Sequence, residues 1–593
     1  MKYVLSTAVA GLLSLSGWSL AQSQPQQAQQ AQQLQQKQTQ VRAQTPAAPA
    51  AASSTTTSHT QQQVTRFLWA NATVYFLLTD RFLNANPRND HAYGRQGDGA
   101  ALRSFMGGDL AGVTRKIKEG YFNALGVNAL WITPPVEQVH GATDEGSGRS
   151  YGFHGYWAKD FTRLDASLGS EQDLRELVDT AHRHGIRILL DVVMNHTGPA
   201  TERDALWPDS WVRLDPVCTY QDVPSTVSCA LVKGLPDLKT EVMTDVSLPA
   251  VLAEKWKAEG RYEQEVRELD TFFARTGLPR APRYYLMKWH TDWVRRFGID
   301  GFRADTVKHT EPELWKELKA LASEAHSDWK RSNPAKVYFD EPFYMTAEVY
   351  GYSLQQGQQF RMDGGSQINY FQFGFDSLIN FGFKSDAKGD YETLFSSYAH
   401  QLHGPLMPYS VLNYISSHDD GQPFDPLRQQ AMAAGTRLLL SPGAAQIYYG
   451  DETARDLQVA HASGDAKLRS VMNWDDLKKN RRVQHSYVQE ILRHWQKLGR
   501  FRQLHPSIGA GQHQQLAAQP YTFSRTLQQT DWQDQVVIAL DLPEAQPVSI
   551  TVAAVFADGS RVRDSYTGYT AIVKAGKVSL PRAGIVALIA QDQ

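Results

Sequence analysis

Four short segments place acidic and cationic side chains where aliphatic runs end: Asp191-Val-Val-Met-Asn195-His196, Gly301-Phe-Arg303-Ala-Asp305-Thr-Val-Lys308-His309, Ala347-Glu348-Val-Tyr350 and Ser417-His418-Asp419-Asp420. In the second, Arg303 and Asp305 are two apart on an expected strand, so both side chains project to the same side. A guanidinium beside a carboxylate holds it ionised, as a nucleophile requires. Glu348 is the only acid at the end of the following strand and lies next to apolar Ala347 and Val349, which favours its protonated form. One ionised and one protonated carboxyl about 5 Å apart are the pair that cleaves a glycosidic bond with retention. Taken singly, each acid also reads as a strand-end salt bridge; the ordered set is far harder to obtain by chance.

Positioning such a set needs a frame that brings strand ends together. From Arg66 onward, aliphatic runs at Thr73 to Leu78, Val127 to Ile132, Ile186 to Val193, Ile299 to Ala304, Phe343 to Glu348, Tyr370 to Phe375, Ser410 to Ile415 and Ala445 to Tyr449 alternate with amphipathic stretches such as Ser170 to His184, Pro282 to Phe297, Glu311 to His326 and Pro426 to Leu440. This rhythm predicts an α/β fold, a (β/α)8 TIM barrel with its chemistry at the C-terminal strand ends. The predicted barrel spans 66–196 and 283–507, with an inserted domain at 197–282 after strand three. Short alternating runs with turns at Asp558-Gly559 and Ala575-Gly576 predict a C-terminal antiparallel β-sandwich domain at 508–593.

The four segments resemble the conserved regions of glycoside hydrolase family 13, the α-amylase family. Three further motifs agree in order: Tyr151-Gly-Phe-His154-Gly-Tyr156-Trp157 with Asp160, Gly234-Leu-Pro-Asp237-Leu, and Gln446-Ile-Tyr-Tyr449-Gly450-Asp451-Glu452. The resemblance covers about residues 70 to 590. It implies Asp305 as nucleophile, Glu348 as acid/base and Asp419 as a third carboxylate that binds and distorts the sugar. It also implies that His154, Tyr156, Asp191, His196, Arg303 and His418 line the subsite of the scissile glucose. Lys308-His309 after the nucleophile resembles true α-amylases and cyclodextrin glucanotransferases, which adds both residues to the substrate-binding set. The layout is most similar to bacterial periplasmic or secreted α-amylases. Ser416-Ser417 departs from the bulkier or amide residues that many relatives carry there.

Asn195, Asp237 and His309 come from three separate stretches, and one ion bound by all three would fasten the insertion to the barrel. Amide, carboxylate and carbonyl are hard oxygen ligands suited to Ca²⁺. The resemblance implies the same, with His309 contributing its carbonyl. A second cluster, Asn84, Asn86, Asn89 and Asp90 with Gly107 and Asp109, resembles an additional calcium loop; it also reads as an Asn-rich turn. The only two cysteines, Cys218 and Cys229, read as one local disulfide in an exported chain.

Export is expected from the N-terminus. Lys2 precedes an apolar run ending in Ser19-Leu20-Ala21, a small-x-small pattern that makes 1–21 a signal peptide, and 22–65 holds 16 Gln between Gln22 and Gln63 with almost nothing large and apolar, a disordered linker. With 60 Lys plus Arg against 62 Asp plus Glu, no global field draws the chain to nucleic acid. No membrane anchor is expected. An aromatic content of 11% suits sugar stacking. The expectation is therefore a periplasmic or secreted monomer acting on starch or maltodextrin as an endo-acting α-1,4-glucan hydrolase. The alternatives are an α-glucanotransferase of the same fold and a non-catalytic glucan-binding relative; the latter usually lacks a carboxylate, and here all three remain.

Overall fold

The structure, a computed structural model, describes residues 66–592; the signal peptide and Gln-rich linker expected at 1–21 and 22–65 lie outside the described residues. Eight parallel strands close into a barrel: β1 (Thr73–Leu77), β2 (Ala129–Ile132), β3 (Arg187–Val192), β4 (Gly301–Ala304), β5 (Tyr344–Ala347), β6 (Ser377–Asn380), β7 (Ser410–Tyr414) and β8 (Ala444–Tyr448). Each strand pairs with its neighbours in sequence, and β8 pairs with β1, with Thr73 opposite Ala445. Both faces of every strand are covered, which is why most read as near-continuous aliphatic runs.

The helices between them carry explicit stop and start signals. Ser170 and Asp173 form a reciprocal capping box on helix Glu171–Arg183. Pro282 opens helix Pro282–Phe297 and Gly298 closes it at φ +77°, where a side chain would also strike the Trp329 ring. Among the described residues no helix is long and apolar enough to cross a membrane.

The sixth strand lies elsewhere than the aliphatic pattern indicates. Tyr370–Phe373 is a 3₁₀ turn, begun by the Asn369 side chain accepting from the Phe371 N–H and ended by Gly374 at φ +99°; the strand is Ser377–Asn380. Its two end residues are polar and face opposite sides of the barrel wall: Ser377, in register with Thr346 and through it with Arg303, points inward, and Asn380 points outward, where its amide also donates to Tyr398 OH (3.0 Å) of helix Tyr391–His403. Ser377 bonds Thr346 (2.8 Å) and Tyr344 (2.6 Å), and Asn380 donates to Asn413 (2.8 Å). Hydrophobic periodicity does not reveal such a strand.

The excursion between β3 and β4 returns to the barrel through a two-stranded pairing of Val212–Arg213 with Asp237–Leu238 and carries helices Ala250–Ala258 and Tyr262–Thr276. Cys218 and Cys229 are disulfide-bonded within it. Beyond helix Val488–Leu504, a six-stranded antiparallel sheet and a two-stranded sheet enclose a second core that includes Val537, Ile550, Val562, Val578 and Ile589. Gly559 (φ +86°) and the Ala575-Gly576 pair (φ +49° and +67°) make the turns expected there.

Arg502 ties the last barrel helix, Val488–Leu504, to the bottom of the barrel. Its guanidinium is fully buried without a carboxylate and donates to the carbonyls of Asn71 (3.1 Å), Leu439 (3.0 Å), Ser441 (2.9 Å) and Gly443. Those carbonyls flank the β1–β8 seam, so the residue holds barrel closure and helix Val488–Leu504 together. Arg502→Leu should leave several buried acceptors unpaired and cost about 3 kcal/mol. An unchanged denaturant midpoint for that variant would refute this account of the seam.

Candidate active site

At the C-terminal end of the barrel, β3, β4, β5 and β7 deliver their terminal residues to one cleft of 1310 Å³. Asp305 follows β4 and its N–H still bonds the Val192 carbonyl; Glu348 follows β5 and its N–H bonds the Ala304 carbonyl. The parallel ladder thus extends one residue past the strands and sets the two acids side by side. Arg303, at the level below, has Nη1 2.6 Å from Asp305 Oδ1 and 2.8 Å from Asp191 Oδ1, and Nη2 2.9 Å from Glu348 Oε2. One guanidinium therefore holds three carboxyls. Asp191 is fixed further by Tyr156 OH (2.8 Å) and Trp131 Nε1 (3.0 Å), and the Thr306 N–H donates to Glu348 Oε2 (3.0 Å).

Asp419 has its own cation: Arg469 Nη2 pairs with Asp419 Oδ1 while its Nε donates to the His418 carbonyl (3.1 Å). His418 Nε2 lies 2.9 Å from Asp419 Oδ2. Arg469 is also paired to Asp465 (2.6 Å), which Arg103 approaches at 3.2 Å. Tyr156 stacks on His418 with ring centres 5.4 Å apart, and the Tyr156 N–H donates to His154 Nδ1 (3.1 Å).

This arrangement separates the proton affinities. Burial pushes Asp191 and Asp305 up to about 6, Arg303 opposing it in each. Glu348 rises further, to about 7: burial is the main cause, Asp305 and Asp419 add to it, and the shared Arg303 only partly offsets them. The close Arg303 contact favours ionised Glu348, but with three carboxyls dividing one positive charge it does not prevail. Burial also opposes ionisation of Asp419, yet His418 and Arg469 outweigh it and hold this carboxyl well below the usual range; its side chain is 33% exposed to the cleft, which weakens the burial effect. Burial drives His154 well down and His196 to about 4, so both rings are neutral hydrogen-bonding groups.

The geometry also gathers oxygens. The Asn195 side-chain oxygen lies 3.0 Å from Asp237 Oδ1 and 2.9 Å from the His309 carbonyl, with no donor between them. Rotating the amide would turn these contacts into two hydrogen bonds; a cation would satisfy all three oxygens. Burial pushes Asp237 up to about 8, Arg213 opposing it from 2.8 Å without hydrogen-bond alignment, and Asp237 Oδ2 has no hydrogen-bond partner. In the second cluster, Asn84 donates to both oxygens of Asp90 (2.9 and 3.0 Å), and Gly107 (φ +84°) packs so closely that a Cβ would sit 2.4 Å from the Asn84 amide. The Asn89 amide is inaccessible and unpartnered, whereas Asn86 Oδ1 accepts from Arg88. Asp109 caps helix Leu110–Lys118 and accepts from the Ala85 and Asn86 N–H groups.

The family model "Alpha amylase, catalytic domain" matches residues 76–206 and 280–508. The chain is 38% identical over 525 residues to the periplasmic alpha-amylase of Escherichia coli (strain K12), covering 77% of this chain and 71% of that one. The chain belongs to the alpha-amylase family. It is also 27% identical over 431 residues to a cyclomaltodextrin glucanotransferase of Paenibacillus macerans, spanning about half of that protein's length (52%). A solved Anoxybacillus alpha-amylase shares the fold at a TM-score of 0.60 and 22% identity, over 89% of this chain and all of that one. The chain is thus a glycoside hydrolase of the amylase type.

Within this alpha-amylase fold, the cleft is lined by Asp305, Glu348, Asp419, His154, Tyr156, His196, Lys308 and His309. Asp191, Arg303 and His418, expected beside them, lie beneath the floor at 2%, 1% and 2% exposure and act through the residues above. The physical reason for the two strand residues is the strand itself: a residue two positions earlier faces the same axis but lies about 6–7 Å deeper. The His309 ring turns away to the excursion, where Nδ1 meets the Thr226 carbonyl (3.2 Å). Ser416, the departure from the family pattern, donates to buried Asp451 (2.6 Å), a hydroxyl role that a bulkier residue cannot fill. Residue types missed Arg469 altogether. Its one signal is Asp465 four residues earlier, an ion pair indistinguishable in sequence from an ordinary surface pair.

Proposed function

We propose that the enzyme hydrolyses internal α-1,4 bonds of starch-type glucans with retention of configuration. The observation that carries this reading is the single Arg303 guanidinium holding Asp305 and Glu348, on adjacent strand ends, at different proton affinities beside Asp419. In the first step Asp305 attacks the anomeric carbon while Glu348 gives its proton to the glycosidic oxygen, so the C–O bond breaks and a glycosyl ester forms. Glu348, now ionised, takes a proton from water, which attacks the ester and restores Asp305. Tyr156 supplies a stacking face, His154 and His196 neutral donors for sugar hydroxyls, and ionised Asp419 stabilises positive charge developing on the ring.

The same reading assigns Asn195, Asp237 and the His309 carbonyl to a Ca²⁺, and Asn84, Asn89, Asp90 and Gly107 to a second ion. Bound calcium supplies positive charge that screens these crowded oxygens, and the first ion links β3, the excursion and the segment after β4. A periplasmic or secreted location is supported by the disulfide, the apolar N-terminal run and the Escherichia coli relative's name.

Asp305→Asn and Glu348→Gln should each lower kcat on starch by about 10³-fold or more. A glycosyl fluoride needs little acid help and should partly restore turnover in the Glu348 variant alone. Early products should be linear and carry the α anomer by proton NMR; β anomers would refute retention, and mainly cyclic early products would assign transfer instead.

The pH profile follows from the shifts with a definite sign. Below about 6 Asp305 takes up a proton and loses its nucleophilicity; above about 7 Glu348 gives up the proton it must donate. A bell in kcat/KM with its maximum near these values is expected, its limbs belonging to the coupled set. Activity still rising beyond pH 9 would contradict the assignment of Glu348.

Chelation should lower the melting temperature, and added calcium at about 100 times its dissociation constant should restore about 2.7 kcal/mol. Asn195→Leu should remove the part of that calcium response that belongs to the first ion. If calorimetry with CaCl₂ shows no binding to wild-type protein, the amide-rotated hydrogen bonds are the correct account of Asn195.

A further inference from the structure

The three oxygens gathered at Asn195, Asp237 and His309 do not rest on the same supports. Asn195 and Asp237 are held together by the main chain: the Leu238 N–H donates to the Asn195 carbonyl (2.7 Å) and the Thr197 N–H to the Pro236 carbonyl (3.1 Å). The His309 carbonyl arrives from the other side, on the 3₁₀ turn Val307–His309 that follows β4. Among the described residues, that turn makes one hydrogen bond to the excursion, and it comes from the His309 ring. A carbonyl can only accept, so Nδ1 carries the hydrogen that is given to the Thr226 carbonyl (3.2 Å).

Thr226 lies inside the Cys218–Cys229 bridge, on the short helix Pro224–Val227, and is fully buried. The loop's own bonds set its position. The Thr226 N–H donates to the Val223 carbonyl (3.0 Å) and its hydroxyl to the Asp222 carbonyl (2.7 Å), while at the base of the loop the Cys218 N–H bonds the Ala230 carbonyl (3.0 Å). The bridge itself touches the oxygen that the His309 ring uses: the Cys218 sulfur is 3.6 Å from the Thr226 carbonyl oxygen, and the Cys229 sulfur is 3.3 Å from the Ser225 carbonyl oxygen. Neither sulfur of a disulfide has a hydrogen to give, so neither competes with His309 Nδ1. Once reduced, the Cys218 thiol would be a donor within reach of that same oxygen, and the loop would lose the covalent tie that sets Thr226 against His309. The Tyr220 ring, also inside the bridge, meets the His309 ring edge-on with centres 5.6 Å apart.

We infer that the Cys218–Cys229 bridge and the first calcium site are coupled through the His309 ring, a positioning residue that holds its own carbonyl on the ion. The closed bridge raises the affinity for calcium, and bound calcium makes the bridge harder to reduce. Ring and carbonyl belong to one residue at the end of a turn whose start is pinned by the Val307 N–H on the Glu348 carbonyl (3.0 Å), so fixing the ring fixes the carbonyl. The chain thus reaches full affinity for its ion only where disulfides form. The inference rests on the reading of Asn195, Asp237 and the His309 carbonyl as a Ca²⁺ site.

Calorimetry with CaCl₂ and a titration with dithiothreitol read the two directions of this coupling. Reduction by that dithiol breaks the S–S bond, leaves a hydrogen on each sulfur and converts the reagent to its cyclic disulfide. The first ion is the binding component that Asn195→Leu lacks. Its Kd should rise on the order of tenfold in His309→Phe, which loses the Nδ1 donor, and in Cys218→Ala/Cys229→Ala, and no further when the changes are combined, because both act on one contact. His309→Asn, whose amide nitrogen can take the place of Nδ1, should stay within about threefold of wild type. Any second binding component should be unchanged in all of them. By reciprocity, saturating CaCl₂ should lower the equilibrium constant for reducing the wild-type bridge by the same factor, read by thiol alkylation and mass, and should not do so in Asn195→Leu. Unchanged affinity for the first ion in His309→Phe or in the bridge variant, additive losses, equal losses at both ions, or a reduction equilibrium indifferent to calcium would overturn the coupling. If the bridge variant does not fold, the reduction equilibrium of the wild type decides. Wild-type protein with no binding component that Asn195→Leu removes would instead sink the calcium reading, and the coupling with it.

Discussion

The site is organised by a charge that is too small for what surrounds it. Arg303 is buried at the end of β4 and faces Asp191, Asp305 and Glu348 together. In a low-dielectric interior one guanidinium cannot keep three carboxyls ionised at neutral pH. The carboxyl that keeps its proton is Glu348, because burial together with the negative charges of Asp305 and Asp419 outweighs Arg303 and the Thr306 N–H, whereas Asp191 has Tyr156 and Trp131 as added donors and Asp305 has the shortest approach to Arg303. The division of labour between the two acids follows from how this one cation is shared.

Asp419 completes the scheme because it lies outside that competition. Arg469 and His418 serve it directly, so it is ionised while its neighbours are poised. Arg469 arrives from the segment after β8 and depends on Asp465, and through it on Arg103 from the loop after β1. The electrostatics of the third carboxylate are therefore set by loops far apart in sequence. His154 and His196 contribute by being neutral: these buried imidazoles can donate to sugar hydroxyls without adding a positive charge that would lower Glu348's proton affinity.

The excursion meets this centre through His309, whose carbonyl faces Asn195 while its ring is tied to the bridged loop. Val307 N–H in turn bonds the Glu348 carbonyl. A single short 3₁₀ turn, Val307–His309, thus connects the acid, the oxygen cluster and the bridged loop. Displacement of the excursion would be felt at the residue after the nucleophile, which gives the long insertion a mechanical reason to be fastened firmly.

Much of this was legible in the residues themselves. The βα rhythm set the barrel because strands covered on both faces must be aliphatic, and the order of Asp305, Glu348 and Asp419 after the fourth, fifth and seventh strands named the acids. The cysteine pair and the Asp-Gly and Ala-Gly turns were equally local. What failed was whatever depends on the interior of the barrel or on distant partners. Strand β6 is polar because Ser377 and Asn380 bond other strands, so its run carried no hydrophobic signal while the aromatic run before it did. Asp191 and Arg303 fell below the cleft floor because strand depth, and not side-chain type, sets the layer. Residue type and spacing determined which groups could do the chemistry. Only the tertiary structure decided how many carboxyls share one guanidinium, and hence which of them holds the proton, because that sharing is a matter of distance and burial among segments that sequence does not bring together.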